Sequence, residues 1–260
     1  MPCGSRRCRN VLLPSLSILG LAYNEEENVR WAVPRLVTLA EKITDDYELV
    51  IVTNLASKDG TNSALAEFAS FNPRIRPVPQ PAGTRGYGPA FAFGLTQIRK
   101  EFAFHTDIDG QFLFDDLFRA IEVQRTTNAD FVHFNRHHRK DPLERKIFGL
   151  GFKILVHFFY ACPVWDFDSA FNLFRTSFLR DMAINSTSGF AVPEFMIRLR
   201  QAGAKIVTGK TEHQPRRAGK PVWEIHPGGV GVILPDMKIV KKCMEDIWHQ
   251  RRALRSRFSF

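Results

Sequence analysis

The stretch Phe102-Ala103-Phe104-His105-Thr106-Asp107-Ile108-Asp109-Gly110-Gln111 runs from apolar residues straight into two carboxylates and a glycine. Phe102 to His105 reads as a buried strand, and Gly110 marks the turn that ends it. Side chains two apart on a strand point to the same side, so Asp107 and Asp109 are expected to face one divalent cation. Oxygen-only ligands suit Mg²⁺ or Mn²⁺ better than zinc, and an incomplete protein shell leaves room for a phosphate-bearing ligand. Taken alone, the pair also reads as a solvated acidic turn.

Working outward, similar apolar runs stand at Leu16 to Leu21, Leu49 to Val52 and Ile75 to Val78. Between them the pattern predicts helices over Glu26 to Ile43, Thr61 to Phe71, Gly88 to Arg99 and Asp115 to Thr126, with a kink at Pro34. A further strand is expected at Asp130 to Phe134. Strands alternating with helices predict an α/β fold, a mostly parallel central sheet flanked by helices in a single domain. Beyond Arg136 the pattern loosens into a basic loop, a Phe-rich helix, the segment Asp166 to Phe174, another helix and a strand at Ala204 to Val207. Ligands of open parallel sheets bind beyond the carboxyl ends of the strands, where Tyr23 to Glu25, Asn54, Gly86 and Asp107 all fall.

Across 260 residues, 36 Lys and Arg face 27 Asp and Glu, a formal charge of +9 that favours an anionic partner: nucleic acid, anionic lipid or a phosphorylated substrate. No helix-turn-helix or aromatic RNA-binding pattern is present, so a nucleic-acid role is not expected. Cys3, Cys8, Cys162 and Cys243 are scattered, which fits a reduced, cytoplasmic setting. Arg6, Arg7 and Arg9 ahead of Val11 to Ala22 imitate a secretory leader, but Pro14 and Glu25 to Glu27 fit a basic tail over 1–10 followed by a first strand better. Ile147 to Trp165 is interrupted by Lys153, His157 and Pro163, which makes a poor spanning helix. It reads either as a core helix or as one lying with one face on a bilayer. The segment 221–260 reads as basic, amphipathic and helical, docked on the domain or resting on an anionic membrane.

Five blocks taken in order, Ala22-Tyr23-Asn24-Glu25-Glu26, Ser57-Lys58-Asp59-Gly60-Thr61, Arg85-Gly86-Tyr87-Gly88, Asp107-Ile108-Asp109-Gly110-Gln111 and Pro215-Arg216-Arg217-Ala218-Gly219-Lys220, resemble family-2 glycosyltransferases of the GT-A fold. The resemblance is greatest to the dolichyl-phosphate mannosyltransferase and polyprenyl-phosphate glycosyltransferase group. It implies a Rossmann-like GT-A domain over 11–220 and metal-dependent, inverting transfer of a sugar from a nucleoside-diphosphate sugar to a polyprenyl- or dolichyl-phosphate-type acceptor. On it, Ala22, Tyr23, Glu25, Asn54, Arg85, Gly86 and Ile108 form the donor pocket with Asp107 and Asp109. Those two carboxylates, supported by Gln111, hold Mg²⁺ or Mn²⁺. Arg136, Arg145 and Arg216 match positions that hold the acceptor phosphate, and Asp107, Asp109, Arg136 and Arg216 are the residues implied to carry catalysis. His213, just before the last block, is a further candidate for the metal.

The chain departs from that pattern in places. Asn54-Leu55-Ala56-Ser57 stands where relatives carry Asp-Asp-Gly-Ser, which removes the carboxylate that reads the base or ribose and leaves the donor open. Leu21, Gly149, Ala170 and Asn172 also differ. These changes keep two other readings in view: a hydroxyl acceptor on a small molecule, which would need a base from Asp166, Asp168 or Glu194, and a sugar-nucleotide-binding protein without turnover.

Overall fold

The computed structural model describes residues 12–138, 143–219, 224–225, 234–235 and 237–255. The expected tail over 1–10 lies outside them, and of Leu143 to Arg145 the backbone alone is described.

The first apolar run forms β1 (Leu16–Ala22), in which Leu16, Ile18 and Leu19 are wholly buried. Helices cover both faces of the strand, so it is apolar on both sides rather than alternating, with Ser17 the polar exception. β1 pairs in parallel with β2 (Tyr47–Thr53) and β4 (Phe102–Thr106). β3 (Ile75–Pro79) extends the sheet past β2, while β6 (Phe171–Arg175), β5 (Phe131–His137) and β7 (Ile206–Glu212) extend it past β4. The order is β3-β2-β1-β4-β6-β5-β7, parallel except for β6, which runs against both neighbours. A short antiparallel pair, β8 (Glu224–Ile225) and β9 (Leu234–Pro235), stands apart.

Two apolar layers clothe the sheet. On one face α1 (Glu26–Ile43), α2 (Thr61–Phe71) and α4 (Asp116–Thr127) bury Val29, Leu36, Leu65 and Leu117. On the other, α3 (Tyr87–Gln97), α5 (Leu143–Tyr160), α6 (Ala191–Gln201) and α7 (Met237–His249) bury Phe91, Val156, Phe195 and Ile247.

Several boundaries differ from the sequence reading for physical reasons. α1 runs unbroken through Pro34, which sits on the exposed side. α3 stops at Gln97 because the Arg99 N–H leaves the helix to donate to buried Glu48 at 2.8 Å. Glu48 also accepts from Ser17 Oγ at 2.7 Å and pairs with Arg76 at 2.6 Å, tying three strands and the helix end together. β5 and β7 run past their expected ends because each supplies the other with a ladder, from Phe131↔Ile206 to His137↔Glu212. α5 ends at Tyr160, where Ala161 turns left-handed at φ +48°.

The C-terminal helix docks on the domain. Asp246 accepts from the Thr187 and Ser188 N–H groups at 2.9 and 2.8 Å, Tyr160 Oη donates to the Ile247 carbonyl, and Gln201 Nε2 donates to the Leu254 carbonyl at 2.7 Å. Its other side stays outside, with Met237, Met244 and Trp248 exposed.

Candidate active site

β4 ends at Thr106, so Asp107 and Asp109 sit in the turn after the strand rather than on it. Ile108 between them is buried with its methyl against Gly20, where an added Cβ would stand 2.9 Å away. Gly110 adopts φ +80°, a conformation costly for other residues, and an added Cβ would stand 3.2 Å from Arg217 and 3.4 Å from Trp31.

The loop that follows β7 is laced to this turn. The Gln214 N–H donates to the Gln111 carbonyl at 2.9 Å, Phe112 bridges to His213, and the Arg217 N–H donates to the Asp109 carbonyl at 3.0 Å. Arg216 is thereby brought between two carboxylates. Its Nη1 donates to Asp109 Oδ2 at 2.8 Å, its Nη2 to Glu25, and its Nε to the Ala218 carbonyl at 2.8 Å. Asn28 on α1 completes the clamp by donating to Glu25 and to the Ala218 carbonyl.

A cavity of about 770 Å³ opens over these strand ends. Ala22, Tyr23, Glu25, Asn54, Arg85, Gly86, Asp107, Ile108, Asp109, Gln111, Arg136 and Arg216 all border it, together with His213. The Arg145 side chain is outside the described residues. His213 is 2% exposed and lies edge-on to Phe112, with ring centres 5.9 Å apart.

Burial and the neighbouring Asp109 charge push the Asp107 carboxyl up to about 7, against the opposing pull of Arg136 and Arg216. Burial likewise raises Glu25, although Asn28 and Arg216 work against it. Three carboxylates crowd one spot with a guanidinium inserted among them, an arrangement that favours a cation. The donors are carboxylate oxygens, and Gln111 borders the same cavity, which fits a hard divalent ion at Asp107 and Asp109.

Arg136, at the end of β5, forms a two-pronged pair with Asp166 at 2.9 and 2.8 Å, and Lys153 of α5 binds the same carboxylate. Burial alone would raise Asp166, but the hydrogen bonds and charges of Arg136 and Lys153 outweigh it and hold the carboxyl below the usual range. Such a group is a poor proton acceptor. Glu194 is also turned inward, wholly buried and bonded to the Ser186 N–H at 2.8 Å and to Arg198 at 2.8 Å. Of the three bases considered from sequence, only Asp168 borders the cavity, with its side chain 31% exposed and 3.7 Å from Arg136.

Other details were missed by sequence reasoning. Gly88 closes the Arg85-Gly86-Tyr87-Gly88 block, and an added Cβ there would stand 2.5 Å from the Ser188 carbonyl, so its smallness serves a close approach of the 187–188 backbone. Ile239 and Lys242 of α7 border the cavity, although they lie far along the chain from the other lining residues. Gln80, at the exit of β3, borders it too. Its position at a strand's carboxyl end was the available signal.

Comparison with known proteins agrees with this architecture. The family described as "Glycosyl transferase family 2" matches residues 17–206. A "Dolichyl-phosphate beta-glucosyltransferase ALG5C" of Trichomonas vaginalis is 29% identical over 169 residues, which cover 59% of this chain and 49% of that protein. A "Low-salt glycan biosynthesis hexosyltransferase Agl6" of Haloferax volcanii is 23% identical over 227 residues, covering 84% of this chain and 52% of its own. The chain thus spans about half the length of these curated relatives. Among solved structures, a mannosyltransferase from Pyrobaculum calidifontis in complex with GDP-Man and Mn²⁺ superposes with a TM-score of 0.56 at 19% identity, over 76% of this chain and 56% of that one. Glucosyl-3-phosphoglycerate synthase from Mycobacterium tuberculosis in complex with UDP gives 0.59 at 14% identity, over 90% and 80%. These likenesses show a GT-A fold.

Proposed function

The chain belongs to glycosyl transferase family 2, and from that membership we propose that it moves a hexosyl group from a nucleoside-diphosphate sugar to a polyprenyl- or dolichyl-phosphate-type acceptor, with inversion and with Mg²⁺ or Mn²⁺ bound. The observation that carries this reading is the Asp107 and Asp109 pair, with Arg216 locked beside it at the mouth of the donor strands. An acceptor phosphate oxygen attacks the anomeric carbon, the bond from that carbon to the diphosphate oxygen breaks, and the nucleoside diphosphate leaves. When bound, the cation neutralises charge gathering on the departing diphosphate. Arg216 supplies a second positive charge at the same place. A phosphate acceptor arrives ionised and needs no base, which accords with Asp166 and Glu194 being committed to internal contacts.

The relative whose name includes dolichyl phosphate supports a lipid-phosphate acceptor, as do the apolar residues Phe152, Val192 and Ile239 in the cavity lining. No helix among the described residues is long and apolar enough to cross a membrane. α5 instead turns Ile147, Leu150, Ile154 and Phe158 outward at helical spacing, 48 to 61% exposed. α7 presents Met237, Met244 and Trp248 alongside Lys238 and Lys241. Apolar residues flanked by lysines suit the surface of an anionic bilayer.

The test is release of nucleoside diphosphate by purified protein given Mn²⁺, a panel of sugar donors and polyprenyl phosphate. Full activity in Asp109→Ala, or no turnover of any donor, would sink the proposal. A soluble hydroxyl acceptor is the second reading, favoured by the cavity-facing carboxylate of Asp168. Mass spectrometry of the product separates a glycosyl phosphate from a glycoside.

A further inference from the structure

At the edge of the sheet away from β3, strands β5 and β7 end side by side. Their ladder closes with His137 opposite Glu212, and just beyond it the His213 N–H donates to the His137 carbonyl at 3.2 Å. Successive side chains on an extended strand point to opposite faces, so two histidines in a row ordinarily diverge. His138 instead leaves the strand at φ +49°, in the left-handed region that few residues other than glycine enter. The two rings meet there, with centres 3.7 Å apart. Both aim the same nitrogen at one carboxylate. His137 Nδ1 is 3.3 Å from Glu212 Oε1, and His138 Nδ1 is 3.3 Å from Oε1 and 3.2 Å from Oε2.

Those spacings are long for charge-assisted hydrogen bonds, which gather at about 2.7–2.9 Å. They match the edge of a coordination tetrahedron, in which two ligand atoms each about 2.0–2.1 Å from a zinc ion stand about 3.3–3.4 Å apart. One ligand atom from each of the three side chains lies within 4.8 Å of the other two. The side chains are 42, 69 and 48% exposed for His137, His138 and Glu212, so an ion reaches them directly from solvent. We propose that His137, His138 and Glu212 form a second cation site, one for Zn²⁺. Imidazole nitrogens select zinc and its transition-metal neighbours, whereas the oxygen donors of Asp107 and Asp109 suit Mg²⁺ or Mn²⁺. Three protein ligands leave one tetrahedral position for water or an outside oxygen. The ion ties the end of β5 to the end of β7, next in sequence to Arg136 and His213, which border the cavity. The site does not rest on the transferase reading, and either can fail alone.

Calorimetric titration of the full chain, without an affinity tag and in excess Mg²⁺, tests it with Zn²⁺ as the probe. His138→Ala and Glu212→Gln should each weaken Zn²⁺ binding by more than about tenfold, since changes beyond the ligands themselves already reach that scale. Asp109→Ala should leave Zn²⁺ binding unchanged. Both altered residues are exposed, so the metal-free variants should melt with the parent, and added Zn²⁺ should raise the melting temperature of the parent alone. Co²⁺ in place of Zn²⁺ should show the visible bands of a four-coordinate ion without thiolate absorption. Zn²⁺ affinity unchanged in both variants, loss of binding in Asp109→Ala, or thiolate bands with Co²⁺ would each overturn the assignment and leave two histidines hydrogen-bonded to a surface glutamate.

Discussion

Arg216 Nη1 stands 2.8 Å from Asp109 Oδ2, so a guanidinium already occupies a carboxylate oxygen at the spot where a metal ion is proposed. A cation bound there would compete with the arginine for Asp109 until a diphosphate offered the arginine other oxygens. Arg216→Ala should therefore bind Mn²⁺ at least as tightly as the parent without nucleotide, yet lose on the order of 10²-fold in kcat, the scale of removing one charge-stabilising donor. Mn²⁺ titration followed by electron paramagnetic resonance, alongside steady-state kinetics, checks both halves. Weaker Mn²⁺ binding in the variant would show that the arginine organises the carboxylates instead of competing for them.

A second prediction concerns acid stability. His105, Asn172 and His133 lie opposite one another on three neighbouring strands, with His133 Nδ1 2.7 Å from Asn172 Oδ1 and Asn172 Nδ2 3.2 Å from His105 Nδ1. Burial pushes His105 down to about 3, and chiefly burial pushes His133 down to about 4, so both are neutral when folded. The unfolded chain binds these protons near pH 6.5 and the folded chain does not, so the contribution is complete above that pH and declines as pH falls toward 4. Urea midpoints should fall between pH 7.5 and pH 5, and His133→Gln should flatten that limb.

Removing the carboxylate shared by Arg136 and Lys153 takes the nearest counter-charge from two buried cations and leaves Arg136 the longer 3.7 Å approach to Asp168 among its contacts. Asp166→Ala should cost roughly 3–5 kcal/mol in denaturant unfolding. The Asp166 carboxyl is held below its usual range when folded. Its stabilisation is therefore present above the unfolded value and is lost only as pH falls below it. Asp166→Asn should show the same loss of support at pH 7, with less of the further decline below pH 4.

Gly88→Ala places a methyl 2.5 Å from the Ser188 carbonyl, a backbone atom that cannot swing aside as a side chain would. Overpacking of this kind costs about 1–3 kcal/mol. The melting temperature should fall, and amide exchange should speed up over residues 186–189 before the rest of the core responds.

Ile154→Ser with Phe158→Ser alters only the outward side of α5, where both residues are 55% exposed. Cosedimentation with vesicles containing phosphatidylglycerol should drop several-fold, with the melting temperature nearly unchanged. Equal sedimentation of parent and variant would remove the bilayer from the account of this face.

Much of the first half was legible in the chain. β1 to β4 are short, apolar and separated by helices, so each strand's exit was predicted to within a residue or two of its observed end. The second half resisted, because its contacts join residues distant in sequence. Nothing in the Arg136 neighbourhood indicates that Asp166 will occupy its guanidinium, and nothing near Gly149 or Phe152 announces that Ile239 will face the same space. Asn54 read as an isolated loss of charge. Only the ladder between β2 and β3 shows that Gln80 stands beside it.

The reversal of β6 has a wider consequence. Strands β1, β2, β3 and β4 present their cavity-lining residues as the chain leaves the sheet, whereas the chain passes Asp166 and Asp168 on its way into β6. A single backward strand thus lets an incoming segment meet the outgoing end of β5 at one rim, which is why Arg136 finds Asp166 there. Lengthening or rewriting the stretch ahead of β6 would reshape that rim without shifting the register of any parallel strand. The first four strands can keep their rim constant while the rim beside β5 is free to change over evolutionary time.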